Sequence, residues 1–353
     1  MPPRDRETFE AAELAVVLSY YDLGVIESLT EFPRGSRRSP KVGIVCDRGK
    51  FLLKRRAPRR SHPDRVRFSH RVQLHLASVG FPVARLVSTR DRPQTYINLK
   101  DRIYELFEFI PGQPYERTAE EAQDAGEVLA RFHDAMDAFD TPASLPPPLG
   151  DFHDASAVRT ALYSSAPRLS MHDSFVGTES DLADLVRSLM EAYDTSATRI
   201  NSLGFESWPM RIIHSDWHPG NILFKRRKVA AVLDYDSVRS SRAAVEVANG
   251  ALQFSIMAGG DPATWAAEID GKRYRAFVEG YESLHALSGA ECESLPHLMI
   301  EALIAECVHP IAETGSVGRW GGYRVLQMVR RKVSWLEANA ETLASAASDR
   351  GRG

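Results

Sequence analysis

Apolar positions fall into short runs broken by turn residues along the first third of the chain. Beyond that they fall mostly into long stretches of helical period. Phe9–Tyr20 reads as a helix. Glu27–Phe32, Val42–Cys46 and Phe51–Lys54 read as strands, with Asp47-Arg48-Gly49 as a tight hairpin turn in which Gly takes positive φ without steric cost. Arg65–Val79 sets Val66, Val72, Leu76 and Val79 on one helical face, broadened by Phe68 and Leu74, and Gly80 ends it. Val83–Thr89, Gln94–Leu99 and Arg102–Phe109 complete a small sheet, the last two joined by a Lys100-Asp101 turn. Thr118–Ala138 is a helix opened by a capping box, Thr118 with Glu121 three residues on. Pro142–Gly150 is a proline-rich loop, and Asp181–Leu203 and most of Val245–Leu343 are helical around a β-rich island, Arg211–Val238. The pattern predicts an α+β chain: a small β-rich N-terminal lobe over residues 1–108, a larger, mainly helical lobe over 109–345, and a disordered tail from 346 to 353.

The composition is that of a globular chain, 43% hydrophobic and 26% charged over 353 residues, which argues against a disordered, collagen-like or coiled-coil protein. Three scattered cysteines, Cys46, Cys292 and Cys307, do not make a disulfide scaffold. No apolar run reaches the roughly 18 residues of a membrane span, and the N-terminus lacks the apolar core of a secretory signal. A cytoplasmic protein with neither a membrane nor a nucleic-acid partner is expected. The net charge of −3 hides an asymmetry: fourteen Lys or Arg against two acids between Arg34 and Arg71 give that stretch +12 and the rest −15. Such a split suits a basic region that meets an anion.

The densest chemistry lies in Ile212-Ile213-His214-Ser215-Asp216-Trp217-His218-Pro219-Gly220-Asn221, followed by Val232-Leu233-Asp234-Tyr235-Asp236. Four polar groups crowded between apolar runs are costly in a core but suit a loop aimed at a ligand. One chemistry is phosphoryl transfer: an Asp five residues before an Asn, then a hairpin, then a second Asp, is a kinase arrangement. Asp216 would orient the attacking hydroxyl, and Asn221 and Asp234 would hold Mg²⁺ through oxygen. A second chemistry is a metal site of His214, Asp216 and His218 on one strand face, which Pro219-Gly220 opposes by breaking the strand. In the kinase reading His214 ties the loop down, and His218 either does the same or stands beside the metal. Lys54, closing an apolar strand one hairpin after the loop Pro33–Ser39, is the candidate for the nucleotide phosphates. Gly35 in that loop allows close approach to a phosphate, Ser36 beside it is a further candidate contact, and Arg37 or Arg38 adds charge.

These residues resemble the aminoglycoside phosphotransferase-like kinases, a family that includes choline kinases and type II homoserine kinases. The resemblance spans roughly residues 20–340 and rests on His214–Asn221 and Leu233–Asp236. Leu129-Ala130-Arg131-Phe132-His133 is similar to the family's helix near the lobe junction, and Tyr104–Gly112 to its hinge. It implies a bilobal protein-kinase-like fold with ATP between the lobes. It further implies Asp216 as catalytic base, Asn221 and Asp234 as Mg²⁺ ligands, Lys54 on the ATP phosphates, and backbone near Phe107, Glu108 and Phe109 receiving adenine.

Two positions depart from the pattern. Kinases pair the strand Lys with a helix Glu, but no Glu stands between Lys54 and Glu105, and His70 or Gln73 occupies the expected stretch. His70 is expected to face the cleft as a neutral partner of Lys54. Glu246 stands where the family has a structural Asp. The expectation is an ATP- and Mg²⁺-dependent transferase acting on a small-molecule hydroxyl. The rivals are a stress-response-type protein Ser/Thr kinase and a nucleotide-binding pseudokinase. The acidic balance outside the basic stretch favours an amino-bearing acceptor, with Asp236 and Glu313 as acidic candidates and Trp320 and Tyr323 as either pocket wall or core.

Overall fold

The computed structural model describes residues 6–32, 37–142, 145–146, 152–172 and 175–348. Its N-terminal part is a five-stranded antiparallel sheet in the order β1-β2-β3-β5-β4. These strands are β1 Ile26–Glu31, β2 Lys41–Cys46, β3 Gly49–Arg55, β4 Ile97–Leu99 and β5 Arg102–Glu108. Tight turns set the register. Lys100 and Asp101 both take positive φ, the geometry of a two-residue hairpin loop whose twist matches the strands. Cys46 pairs with Gly49, leaving Asp47-Arg48 as the β2–β3 turn. Helix α1 (Ala11–Leu18) is shorter than the apolar pattern predicts and buries Val17 and Leu18 with Tyr21, Ile44 and Leu53. Helix α2 (Pro63–Ser78) buries Val66, Phe68, Val72 and Leu76, while Leu74 and Val79, assigned to the same stripe from sequence, stand exposed.

The segment Val83–Thr89 is not a strand. It runs extended between the two halves of the molecule, with a single bridge from Val83 to Val232 and another from Leu86 to Phe107. Its backbone is shared between two sheets, Val232 N–H donating to Pro82 and Val87 N–H donating to Leu106, so neither ladder extends along it.

The C-terminal part is helical: α3 Ala119–Asp137, α4 Ser156–Ser170, α5 Glu179–Ser202, α6 Ala243–Ser255, α7 Gly271–Glu282, α8 Gly289–Thr314, α9 Gly322–Ala338 and α10 Ala340–Ser348. Thr118 caps α3 by accepting from Glu121 N–H. α3 and α7 cross at two glycines: a Cβ on Gly126 would stand 2.0 Å from the Phe277 carbonyl oxygen, and one on Gly280 2.0 Å from that of Gln123. α8 is long and apolar enough in composition to cross a membrane, and its apolar side chains pack in the core of this lobe. Because α10 runs to Ser348, the expected tail begins inside a helix, and 349–353 lie outside the described residues. Short hairpins interrupt the helices: β6 (Met210–Ile213) with β9 (Arg239–Arg242), β7 (Ile222–Lys225) with β8 (Lys228–Val232), and β10 (Ser316–Val317) with β11 (Trp320–Gly321). The β6–β9 and β7–β8 pairs carry the loop residues singled out by sequence.

Candidate active site

The loop from β6 to β7 is held from behind by Glu246 on α6. Its carboxylate accepts from His214 N–H (3.1 Å) and Ser215 N–H, and contacts His133 Nε2 (3.0 Å). His133 in turn meets the Tyr281 hydroxyl at 2.9 Å. A Glu in place of the expected Asp therefore still ties down two backbone donors. His214 is buried and its Nε2 lies 3.0 Å from the Leu233 carbonyl, joining this loop to the one that carries Asp234. That contact spends one ring nitrogen, and among the described residues no three His, Cys, Asp or Glu side chains are grouped to hold a metal ion, so the three-residue metal face is not formed. His218 accepts from Gly220 N–H (3.0 Å), capping the short turn Pro219–Asn221, with Nε2 3.5 Å from Asp216.

Two non-glycine residues with positive φ flank the cleft, Ser215 (65°) and Asp234 (62°). Such backbone persists where its surroundings over-determine it, and it clusters at functional sites. Here Arg239 donates to Ser215 Oγ (2.8 Å) and Leu233 N–H donates to the Asn221 carbonyl (2.8 Å). Asn221 Nδ2 donates to the backbone oxygen (3.0 Å) and Oδ2 (2.9 Å) of Asp216. That leaves Asn221 Oδ1 and the Asp234 carboxylate as hard oxygen donors, a set that fits Mg²⁺.

Lys54 reaches across from β3 to both acids of the second loop, 3.1 Å from Asp234 Oδ1 and 2.7 Å from Asp236 Oδ2. Burial works against its charge, yet the two carboxylates hold its ammonium well above the usual value. Asp234 is half-buried, which works against its charge, but Lys54 and Lys41 keep its carboxyl far below the ordinary range. Lys41, opposite Lys54 in the β2–β3 register, is a second cation at this site that sequence reading did not single out, because its strand pattern is apolar around it.

Three expectations need correction. His70 is buried but does not touch Lys54; its Nε2 lies 2.5 Å from Glu105 and its Nδ1 2.6 Å from Thr95. Asp236 does not line an acceptor pocket, being buried between Lys54 and Arg56 (2.9 Å). The N–H groups of Glu108 and Phe109 are engaged by the carbonyls of Arg85 and Lys50, so they are not available to adenine. Arg37 gives its carbonyl to Glu7 N–H, and Gly35 and Ser36 lie outside the described residues. Glu313 pairs with Arg59 at 2.8 Å across the two parts of the molecule. Tyr323 is buried edge-on to Phe175, and Arg319 lies over the Trp320 ring.

Glu306 of α8, a residue that sequence reading passed over, feels the charge of Asp216. Its side chain is exposed at one side, and the protein that crowds the other side, together with the Asp216 charge, pushes its carboxyl up to about 7. Gln253 donates to it at 2.6 Å, and Asn249 hydrogen-bonds to it while its own Oδ1 is buried without a partner.

A sheet lobe and a helical lobe, with a lysine from one facing a loop Asp–Asn–Asp set from the other, define a protein-kinase-like phosphotransferase. The sequence profile of the phosphotransferase enzyme family matches residues 30–295, and the chain belongs to that family. A homoserine kinase of Caulobacter sp. is 27% identical over 310 residues, covering 86% of this chain and 87% of that one. Among solved structures, a microcompartment-associated aminopropanol kinase has a TM-score of 0.71 at 14% identity, over 95% of this chain and 99% of that one. An aminoglycoside phosphotransferase from Alicyclobacillus acidocaldarius has a TM-score of 0.65 at 17% identity, over 93% and 96%. The protein is an ATP-dependent kinase whose acceptor group is a hydroxyl of a small molecule.

Proposed function

We propose that this chain phosphorylates a small amino alcohol, with homoserine as the first candidate, using MgATP bound between the lobes in the cytoplasm. The observation that supports the acceptor class is Glu306, a carboxyl within electrostatic reach of Asp216. An ammonium group has three donors and no acceptor. The Glu306 carboxylate and the unpartnered Asn249 Oδ1 offer acceptors of that kind. The homoserine kinase relatives support the choice of homoserine.

Asp216 orients the acceptor hydroxyl and takes its proton, and the Asn221 amide keeps that carboxylate in place. Asn221 Oδ1 and the Asp234 carboxylate would hold Mg²⁺, which would supply charge neutralisation for the transferred phosphate. Lys54, with Lys41 behind it, meets the phosphates. Adenine lies against the chain after β5, where Ile110 supplies the first N–H not spent on the sheet. Residues up to 108 form the nucleotide-covering lobe, and those from 109 the acceptor lobe.

A panel of homoserine, aminopropanol, choline, an aminoglycoside and a hydroxyl-bearing peptide, assayed for ADP release and by ³¹P NMR, tests the reading. Highest kcat/KM for a small amino alcohol is expected. Preference for the peptide, or for an amine-free alcohol, refutes it.

A further inference from the structure

Lys54 on β3 and Arg56, the residue just past its end, lie two residues apart; Arg56 N–H still donates to the Ile103 carbonyl, and Glu105 is the register partner of Lys54 on β5. Residues so placed share one face of a sheet. Helix α2 covers that face, and it brings no carboxylate: its own acid, Asp64, pairs at the surface with Arg67. It brings His70 to Glu105, and Ser69, whose Oγ accepts from Arg56 at 2.8 Å. Arg56 then bridges two acids, Glu105 through Nε (2.6 Å) and Asp236 through Nη2 (2.9 Å). The chain of contacts ends at Lys54, 2.7 Å from the other oxygen of Asp236. Every member is almost fully buried: Lys54 5%, Arg56 3%, His70 2%, Glu105 0% and Asp236 5% exposed.

We infer that Asp236, braced by Arg56 and Glu105, is the positioning residue for Lys54 and replaces the helix glutamate of other kinases; this rests on Lys54 being the phosphate-binding lysine. The charge count supports it. With Asp234 drawn toward a metal, Lys54 and Arg56 still face Asp236 and Glu105, two cations against two anions. The Asp234 side chain is 26% exposed, against 6% for Asp236. Asp234 is the exchangeable partner of Lys54 and Asp236 the permanent one. Removing one member of a buried ion-pair set leaves the others uncompensated, so loss of Asp236 leaves Lys54 to Asp234 alone, in competition with the metal.

The test measures the dissociation constant of a non-hydrolysable ATP analogue by calorimetry, with and without Mg²⁺, on D236N, D236E, K54M and the double variant D236N/K54M. The expected result is analogue binding at least roughly tenfold weaker in D236N and K54M, with the D236N loss largely absent in the K54M background, as coupled residues require. D236E is expected to recover part of the affinity, and the acceptor KM to stay unchanged in D236N. Additive losses, or unchanged binding in D236N, overturn the inference while leaving the kinase reading intact. Unchanged binding in K54M removes Lys54 itself from the nucleotide site. If D236N does not fold, E105Q, one contact further back, is measured in the same way. A smaller but clear weakening supports the relay, and unchanged affinity overturns it.

Discussion

Crowding by protein and the charge of Asp216 push the carboxyl of Glu306 up to about 7. Only its ionised form attracts an ammonium. For a group titrating at 7, about one in eleven molecules is ionised at pH 6 and about ten in eleven at pH 8, so kcat/KM for the acceptor is expected to rise about tenfold across that interval. This parameter reports the free enzyme, so the bound amine does not shift the midpoint. E306Q keeps the size of the side chain but removes its charge and its titration. A hydrogen bond to a charged group contributes roughly 1.5–3 kcal/mol, so the variant's plateau is expected to fall roughly 10- to 150-fold for an amino alcohol. Its profile is expected to be flat between pH 6 and 8, and kcat/KM for ATP to hold steady. The assay is coupled ADP release at subsaturating acceptor and saturating MgATP. A wild-type profile flat over the interval, or a slope that survives in E306Q, refutes the assignment.

D216N is expected to cut kcat by roughly 10²–10⁴-fold, the range for a positioned base, with little change in ATP-analogue affinity; near-normal turnover removes Asp216 from the chemical step. D234N deletes a charged oxygen donor and is expected to raise the Mg²⁺ concentration for half-maximal activity, which a metal titration reads directly. G126A drives a methyl group against the Phe277 carbonyl oxygen; with no room between α3 and α7 it is expected to cost roughly 1–3 kcal/mol or more, read as a lower Tm with the folded enzyme's KM values unchanged. E246A strips the shared acceptor from the His214 and Ser215 N–H groups; each orphaned donor costs about 1–3 kcal/mol, so Tm and kcat are expected to fall together.

What the sequence determined by itself is what short-range chemistry encodes. Asp216, Asn221 and Asp234 sit within one loop–hairpin–loop segment, so their spacing fixes their neighbourhood whatever surrounds them. The Lys100-Asp101 turn and the Thr118 cap are equally local, set by backbone preference and a hydrogen bond three residues away. Helix α4 was silent because its serines and Pro167 blur the apolar period.

Only the tertiary structure decided which charges meet. Lys54 and Asp236 are 182 residues apart, and no local rule links them. The missing helix glutamate read as a vacancy that His70 would fill. Folding instead brought Asp236 in from the other lobe and set His70 to hold Glu105, because a buried cation recruits whichever carboxylate the packing delivers. Glu306 was hidden for the converse reason. Glu306 is one of five glutamates in α8 and nothing local sets it apart; only the approach of Gln253 on α6 and the charge of Asp216 do so. Gly126 and Gly280 followed suit: each glycine alone weakens its helix, and only their meeting shows that the absence of two side chains is what lets α3 and α7 touch.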